Sequence, residues 1–498
     1  MRHVVYLGIF VSILSLSLAC TSTPPREPAQ VEDETTETPK DPNAIPNGPY
    51  DDCDQRALFE MNDRFTWVCT DNYVHIYPTK AVVQKNSQKI KIGSFNVYHL
   101  GDDQSRLKDF NAMAIIMNKW DLVGVTELMP LPTAYADENR KLREVMKENQ
   151  QKIPSNWRVI EPGYYKLLKE LQTKDSSWSL IFQPMPEGEG STGELAGFFY
   201  RSSRVQLNMW NYCPQTGLAD KINPNIMGLN FGCLAQVSPN QAKLMSRRAF
   251  IAKFKSGKFD FVSVVSHTRF RPASAPDQVD QQKEICSRYP AKADCAISKD
   301  KVGRFYEIKA VADQFPFLEA FEKDVLYMGD FNLDYSTNNQ NAWNASIAAA
   351  QGYAVYQHEN TSLSLPMEKL ANSYDHFVLK AEALKECDLS SIHAYDFTKI
   401  GTPEVDSELK RLSYLLNPGY HKKTERVQTA FLDQQIRLER VKNQYRARGL
   451  TAEEKAKLAQ EIKRSTVRLQ NNKFWVLREY LSDHVPIEMT CNTRRDDD

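Results

Sequence analysis

Polar side chains recur in this sequence where short apolar runs stop. The runs have the length and composition of buried strands, and each is bordered by a carboxylate, an amide or an imidazole. Carboxylate and amide oxygens suit a hard cation such as Mg²⁺, and imidazoles paired with carboxylates suit proton transfer. Because strand ends can meet at one edge of a sheet, we expect these residues to converge. They are Asn96, Glu127, Glu194, His267, Asp330, Asn332, Asp375, Asp483 and His484.

Taken singly, each of these residues has a plainer interpretation. A histidine after an apolar run is more often structural than catalytic, and an aspartate at a strand end is usually a turn or cap residue. The ordered set is more specific than its members. It contains the segments Ser94–Val97, Val125–Leu128, Val265–His267, Met328–Asn332 and Ser482–Pro486.

These five segments, in this order, resemble the motifs of the endonuclease/exonuclease/phosphatase family. Gly-Asp-Phe-Asn at 329–332 and Ser-Asp-His-Val-Pro at 482–486 are the most specific of them. Glu194 before the run ending at Arg201, Arg247, and the Tyr374-Asp375 pair resemble the deoxyribonuclease-I-like branch. The resemblance covers about residues 89–395 and 474–491. His376 stands where the family more often has arginine.

The resemblance implies an α/β (α+β) fold, a four-layer sandwich of two packed β-sheets flanked by helices. It implies a Mg²⁺ site, with Mn²⁺ or Ca²⁺ as substitutes, for which Asn96, Glu127 and Asp483 offer ligands. His484, oriented by Asp375, is the expected general base, and His267, paired with Glu194, the expected general acid. Asp330 and Asn332 would position water and phosphate, or share the metal site. Arg247 would bind phosphate, because its planar fork suits two oxygens.

The expected activity is therefore metal-dependent hydrolysis of a phosphodiester, with DNA as the favoured substrate. A sphingomyelinase-like or other lipid or inositol phosphodiesterase is the first alternative. A catalytically inactive binding protein of the same fold is the second, and completeness of the polar set argues against it. The sequence gives no indication of an obligate protein partner. Its 63 basic and 63 acidic residues balance, so no whole-molecule field favours nucleic acid.

The amino terminus predicts export. Residues 1–20 read as a lipoprotein signal peptide, because the apolar run 4–18 is too short to span a bilayer comfortably and ends in Ser-Leu-Ala before Cys20. Cys20 is the predicted lipidation site, and a plain signal peptide is the alternative. Thr21 after the cysteine favours the outer membrane of a bacterium. Residues 21–50 are rich in Pro, Thr and Glu and predict a disordered tether between the lipid and the body.

Eight cysteines remain when Cys20 is set aside, and an even set in an exported protein indicates disulfides. The sequence leaves their connectivity open. Proximity favours Cys53–Cys69, Cys213–Cys233 and Cys286–Cys295, which leaves Cys387 with Cys491. No spacing of a structural zinc site is present.

Two segments lie outside the resemblance. Residues 51–88 carry aromatics and two cysteines, and predict a small elaboration on the main domain. Residues 396–473 predict a charged helical insertion, with helices over 421–447 and 452–476, a stop at Gly449 and a capping box at Thr451 and Glu454. Basic residues exceed acidic ones there roughly two to one. A solvated helical hairpin is the favoured interpretation, and an arm that grips nucleic acid or anionic lipid is the alternative.

Overall fold

The computed structural model describes residues 53, 64–101, 108–148, 159–188, 193–213, 230–289, 295, 297–364, 369–382, 384–417, 436–447, 449–470 and 473–495. All of them belong to the unit Gly48–Asp498. The predicted signal peptide, the lipidation site Cys20 and the tether lie outside the described residues.

Seventeen described strands build the framework. In chain order they are β1 (Phe65–Cys69), β2 (Val74–Pro78), β3 (Lys89–Leu100), β4 (Leu122–Leu128), β5 (Trp178–Phe182), β6 (Leu195–Arg201), β7 (Gln206–Asn208), β8 (Gly232–Leu234), β9 (Phe250–Ser256), β10 (Phe259–His267), β11 (Val325–Asp330), β12 (Tyr353–Tyr356), β13 (Leu363–Ser364), β14 (Lys369–Leu370), β15 (Asp375–Lys380), β16 (Cys387–Ala394) and β17 (Ile487–Asn492).

The long strands form two large sheets. One has eight strands in the order β1-β2-β5-β6-β4-β3-β17-β16. The other has seven: the path β12-β15-β11-β10-β9-β7, with β8 also paired to β9. Each sheet contains one central parallel pair, β3 with β4 and β10 with β11. The two strands of a parallel pair end at the same edge, which matters for the site.

Helices cover the outer faces. They are α1 (Phe110–Met117), α2 (Thr133–Glu148), α3 (Gly163–Lys174), α4 (Pro239–Leu244), α5 (Ala275–Cys286), α6 (Val302–Ala312), α7 (Phe315–Leu318), α8 (Gln340–Ser346), α9 (Ser407–Arg411), α10 (Ala452–Gln470) and α11 (Lys473–Tyr480). Short 3₁₀ turns lie at Phe397–Lys399 and Ser413–Leu416, and residues 436–445 are also helical.

Strand alternation explains the layers. Along β11, Leu326 and Met328 face the core between the sheets, whereas Val325 and Tyr327 face the helices outside. Successive side chains of a strand point to opposite faces, so a strand buried on both sides is apolar throughout. The eight-stranded sheet has its own outer core with α1, α3 and α11. The predicted four-layer α/β sandwich of two packed sheets flanked by helices is confirmed.

The four predicted disulfides are also present: Cys53–Cys69, Cys213–Cys233, Cys286–Cys295 and Cys387–Cys491. Each links cysteines that proximity in the sequence, or elimination, had paired. The last joins directly opposed positions of β16 and β17.

The segments outside the resemblance are more integrated than the sequence suggests. In the predicted elaboration 51–88, β1 and β2 extend the eight-stranded sheet through the pairing of β2 with β5. In the predicted insertion 396–473, the first part packs into the main core through Phe397, Leu412 and Leu415. The later part is helical, with the expected reciprocal cap between Thr451 and Glu454. Residues 421–435 lie outside the described part of the chain.

Within the described residues, no helix combines the length and the apolar content needed to cross a bilayer.

Candidate active site

The predicted site residues meet at one edge of the two sheets. The parallel pairing brings Asn96 on β3 beside Thr126, next to Glu127 on β4, and sets His267 at the end of β10 opposite Asp330 at the end of β11. Asp375 begins the antiparallel strand β15 and also pairs with Asp330. The carboxyl ends of both parallel pairs therefore supply one rim.

The backbone at this rim departs from regular strand geometry. Glu127 and Asn332 have φ values of 60° and 50°, a left-handed conformation that non-glycine residues seldom adopt. Gly329, just before Asp330, has φ 146°, and a Cβ there would lie 1.9 Å from the carbonyl oxygen of Ser266. Such local strain is found where the surrounding fold imposes a functional geometry. At Gly329 only glycine fits.

Two histidine–carboxylate pairs face each other across Asp330. The Nδ1 atom of His267 lies 2.5 Å from Glu194 Oε1, and the Nδ1 atom of His484 lies 2.7 Å from Asp375 Oδ2. Their Nε2 atoms lie 3.6 Å and 3.5 Å from the same oxygen, Asp330 Oδ2. Each imidazole is thus fixed by one carboxylate and presents its other nitrogen to a shared space.

Amide groups fix the carboxylates between these pairs. Asn96 Nδ2 donates to Glu127 Oε1 and to Asp330 Oδ2, each at 2.9 Å. Asn96 Oδ1 accepts from the backbone N–H of Tyr98 at 2.9 Å. Asn332 Nδ2 lies 3.0 Å from His267 Nε2 and donates to the Thr268 carbonyl at 3.0 Å.

The Asn96 amide contacts carboxylates and backbone in this structure, and its role as a metal ligand stays a prediction. Its amide nitrogen faces the carboxylates and its oxygen is held by the backbone. The physical reason is that two carboxylate oxygens attract N–H donors. In this arrangement Asn96 positions Glu127 and Asp330.

Neighbouring carboxylates raise the pKa of both rim histidines. Burial lowers the pKa of His267, but the carboxylates of Glu194 and Asp330 outweigh burial and the nearby Arg247, and raise it to about 9. Burial likewise lowers the pKa of His484, yet Asp330 and Asp375 hold it well above its usual value.

The pKa values of the two nearby carboxyl groups, Glu127 and Asp483, shift in opposite directions. Burial raises the pKa of Glu127, but His267 and His99 lower it to about 2, so it remains a carboxylate. Burial and the charge of Glu127 raise the pKa of Asp483, partly opposed by His484. Asp483 Oδ1 is buried and has no hydrogen-bond partner among the described residues. Two neighbouring carboxylates, one with an unsatisfied oxygen, fit a divalent cation that takes oxygen ligands.

A second donor set is compatible with a metal on spacing alone. Ligand atoms of Glu127, Glu194 and His267 all lie within 4.8 Å of one another. However, Glu194 Oε1 already contacts His267 Nδ1 and lies 2.7 Å from Arg247 Nε. A cation there would compete with an arginine and with a hydrogen-bonded imidazole, whereas the buried Asp483 Oδ1 has no hydrogen-bond partner among the described residues.

Arg247 is engaged inside the site. Arg247 forms an ion pair with Glu194, and 15% of its side chain is exposed. Its Nη1 donates to the Thr268 carbonyl at 3.5 Å. The structure therefore places Arg247 behind the His267–Glu194 pair. A phosphate contact by this guanidinium remains a prediction.

Several supporting residues were missed by sequence reasoning. Ser482 Oγ donates to the Asn96 carbonyl at 2.6 Å, and Thr361 Oγ1 accepts from the backbone N–H of Asp375 at 3.3 Å. The Nε2 atom of His99 lies 3.5 Å from Glu127 Oε2. Ser482 lies inside a recognised motif and was within reach of sequence reasoning. Thr361 follows no strand-end pattern, and His99, near the end of β3, lies beyond the motif Ser94–Val97. Only the tertiary pairing reveals their contacts with the site.

Comparison with known proteins gives fold-level likeness only. No protein-family profile matches the chain, and no curated protein matches it. Among solved structures, D. rerio TDP2 complexed with single-strand DNA product is 12% identical, with 82% of this chain and 100% of that chain covered and a TM-score of 0.35. An endonuclease/exonuclease/phosphatase family protein from Bacteroides thetaiotaomicron is 12% identical, with coverages of 61% and 85% and a TM-score of 0.31.

A further match is cytolethal distending toxin from Actinobacillus actinomycetemcomitans, 11% identical, with coverages of 61% and 90% and a TM-score of 0.30. The matching structures thus include members of the family that the motifs resemble. Identities and TM-scores this low carry no argument about activity, which rests on the side chains of this chain.

Proposed function

We propose that this chain is a divalent-metal-dependent phosphodiesterase that cleaves nucleic acid, with DNA as its substrate. The observation that carries the proposal is the pair of buried histidine–carboxylate dyads on either side of Asp330, next to the carboxylates Glu127 and Asp483. Phosphodiester hydrolysis needs a proton acceptor for water, a proton donor for the leaving oxygen, and compensation of anionic charge.

The histidines supply the two proton-transfer groups. His267, whose pKa is raised to about 9, is protonated at neutral pH and suits the general acid at the leaving oxygen. His484 suits the general base, with Asp375 fixing its tautomer and supporting the cation formed when it accepts a proton. Asp330 and Asp375 raise the pKa of His484, and a cation held nearby would offset part of that negative charge and favour the neutral, proton-accepting form.

Glu127 and Asp483 would hold the cation, and Asp330 and Asn332 would orient the phosphate and the attacking water. A bound Mg²⁺ would neutralise charge on the phosphate oxygens and lower the pKa of a bound water. Asn96 keeps Glu127 and Asp330 in place through its two hydrogen bonds.

The decisive assay offers the purified protein four substrates: plasmid DNA, RNA, sphingomyelin vesicles and an inositol phosphate. Each is incubated with Mg²⁺ and with EDTA, and the double variant H267A/H484A serves as the control. We expect plasmid cleavage with Mg²⁺, none with EDTA, and none by the double variant. Full cleavage in EDTA would exclude the metal mechanism. Cleavage of sphingomyelin alone would show that the protein is a lipid phosphodiesterase and not a nuclease.

We also propose that the chain is exported and lipidated at Cys20, on the strength of the amino-terminal sequence. Metabolic labelling with a radioactive fatty acid tests this in a bacterial host. The label should enter the wild-type protein and not Cys20→Ala, whereas equal labelling of both would contradict lipidation at this residue.

A further inference from the structure

The segment 268–272, which follows the proposed acid His267, carries an unusual side chain for a site rim. Phe270 is 67% exposed, and its neighbour Arg271 is also exposed. A single exposed aromatic is common on protein surfaces and needs no explanation by itself. The informative observation is the set of hydrogen bonds that fixes the backbone at Phe270.

Arg304 of α6 fixes the backbone of Phe270 to the site. Its Nη2 donates to the Phe270 carbonyl at 2.6 Å, its Nε to the Arg269 carbonyl at 3.2 Å, and its Nη1 to the Asn332 carbonyl at 2.8 Å. The guanidinium carbon lies 5.9 Å from the centre of the Phe270 ring. One side chain therefore bridges the exposed aromatic to Asn332, which contacts His267.

Arg269, one residue earlier, is held just as firmly. Its backbone N–H donates to Glu307 Oε2 at 2.8 Å, its Nε donates to Glu307 Oε1 at 3.2 Å, and both residues are buried. The segment thus presents Phe270 on a fixed backbone. A preformed aromatic platform loses less conformational entropy on binding than a mobile one.

Two arginines next to Phe270 are not neutralised by an ion pair with any described residue. Among the described residues, neither Arg304 nor Arg271 has a carboxylate within ion-pair distance, and the N–H groups of Arg304 that bond are directed at backbone carbonyls. His267 and Phe270 are three residues apart in the chain, so their Cα atoms lie at most about 11 Å from each other. Phe270 is therefore a near neighbour, along the chain, of the proposed general acid.

We propose that Phe270 stacks on the base of the nucleotide beside the scissile phosphate, and that the preferred substrate is consequently an unpaired strand. Aromatic rings interleaved with cations are the usual recognition elements for single-stranded nucleic acid, because every base has a π-face. A base paired in a duplex has its faces covered by its neighbours. This inference rests on the proposed nuclease function and specifies its substrate.

A membrane surface is the competing ligand for an exposed phenylalanine. It is less well supported, because one ring buries little area and the fixed residues around it are arginines and backbone carbonyls rather than further apolar side chains. Lipid binding is therefore treated as an outcome of the test.

Binding is measured first, in a His484→Ala background with Mg²⁺ so that the strand stays intact. A fluorescein-labelled oligothymidylate is titrated and followed by anisotropy, beside a duplex of equal length. We expect tighter binding of the single strand, a weakening of about 5- to 100-fold for F270A, and near-parental binding for F270W. The control is F317A on α7, where Phe317 is 63% exposed and precedes β11, whose far end carries Asp330.

Hydrolysis with intact His484 then separates this inference from the proposed function. F270A should raise KM for the oligothymidylate more than it lowers kcat, and should impair that substrate more than methyl 4-nitrophenyl phosphate, which has no base. Three outcomes would each overturn the stacking role. They are unchanged oligothymidylate binding by F270A, equal binding of duplex and single strand, and an F270A variant that loses binding to phosphatidylcholine–sphingomyelin vesicles but not to DNA. Strand binding that depends on Phe270 without any cleavage would sustain the platform and reject the nuclease.

Discussion

Two buried regions of this protein hold histidines in opposite electrostatic settings. At the rim, His267 and His484 are each 7% exposed and each contacts a carboxylate. On β2, His75 is 9% exposed and its Nε2 lies 2.8 Å from the hydroxyl of Tyr200. Burial lowers the pKa of His75 to about 3, whereas carboxylates reverse that effect at the rim and raise the pKa of His267 to about 9.

The comparison shows what distinguishes a functional histidine from a structural one here. With similar burial, the His75 imidazole is neutral above about pH 3, whereas the two rim imidazoles bind a proton more readily than a free histidine. The difference is made by Glu194, Asp330 and Asp375, which come from three different strand ends or loops. Only a fold that brings those ends together can produce it.

The largest expected effect is loss of turnover at the rim. His267→Ala or His484→Ala should lower kcat on a labelled oligonucleotide by about 10²- to 10⁴-fold, because each removes a proton-transfer group. His75→Gln is the matched control and should leave kcat within a few-fold. Near-normal turnover in both rim variants would remove the distinction between the two regions.

Removing the partners should have a smaller effect. Asp375→Asn should lower kcat/KM by roughly 10- to 100-fold, because the neutral amide neither supports the protonated form of His484 nor fixes its tautomer. Tyr200→Phe, which deletes the hydroxyl beside His75, provides the equivalent change in the other region. Steady-state rates of the two variants should differ by at least tenfold, and comparable losses in both would contradict the assigned role of Asp375.

Glycine substitutions test whether the rim is strained. Gly329→Ala should lower the free energy of unfolding by about 2–3 kcal/mol, because its Cβ would overlap the Ser266 carbonyl. Gly449→Ala, at φ 88° with no heavy atom within 4 Å of the added Cβ, should cost about 1 kcal/mol. Thermal unfolding followed by circular dichroism measures both. Equal shifts would mean that the rim tolerates a side chain at Gly329.

The pH dependence of stability tests the β2 region. The pKa of His75 is about 3 in the folded protein and near 6.5 when unfolded, so below pH 6.5 the unfolded chain binds an extra proton. This contribution to stability is complete above pH 6.5 and is lost as the pH falls toward 3. The loss amounts to about 3 kcal/mol by pH 4.

Urea unfolding at pH 7 and pH 4 gives the corresponding measurement. His75→Gln should lose less stability than wild type between the two pH values, because glutamine does not titrate while it can still bond to Tyr200. Identical losses in both proteins would show that His75 is not held neutral by burial.

The sequence predicted the site residues at the rim better than other features, because those residues belong to local sequence motifs. The strands before Asn96, Glu127, His267 and Asp330 are short segments rich in apolar residues, and the order of the polar residues at their ends matches known motifs. The amide orientation of Asn96 and the support from Thr361 depend on contacts between distant segments, which no local pattern encodes.

The same limit explains the segments at either end of the domain. β2 was assigned to a small elaboration on the main domain, and not to its central sheet, because its pairing partner, β5, lies about a hundred residues away in the chain. Phe397 and Leu412 were grouped with charged helices because composition averages over a segment, although these side chains pack in the main core.

The most direct test of the account is the pH profile of kcat/KM with Mg²⁺ for wild type, H267A and H484A. Wild type should give a bell, its acid limb set by protonation of His484 and its alkaline limb by deprotonation of His267. H484A should lose the acid limb and H267A the alkaline limb, each at reduced rate. A bell that survives unchanged in both variants would show that these histidines are not the acid and base.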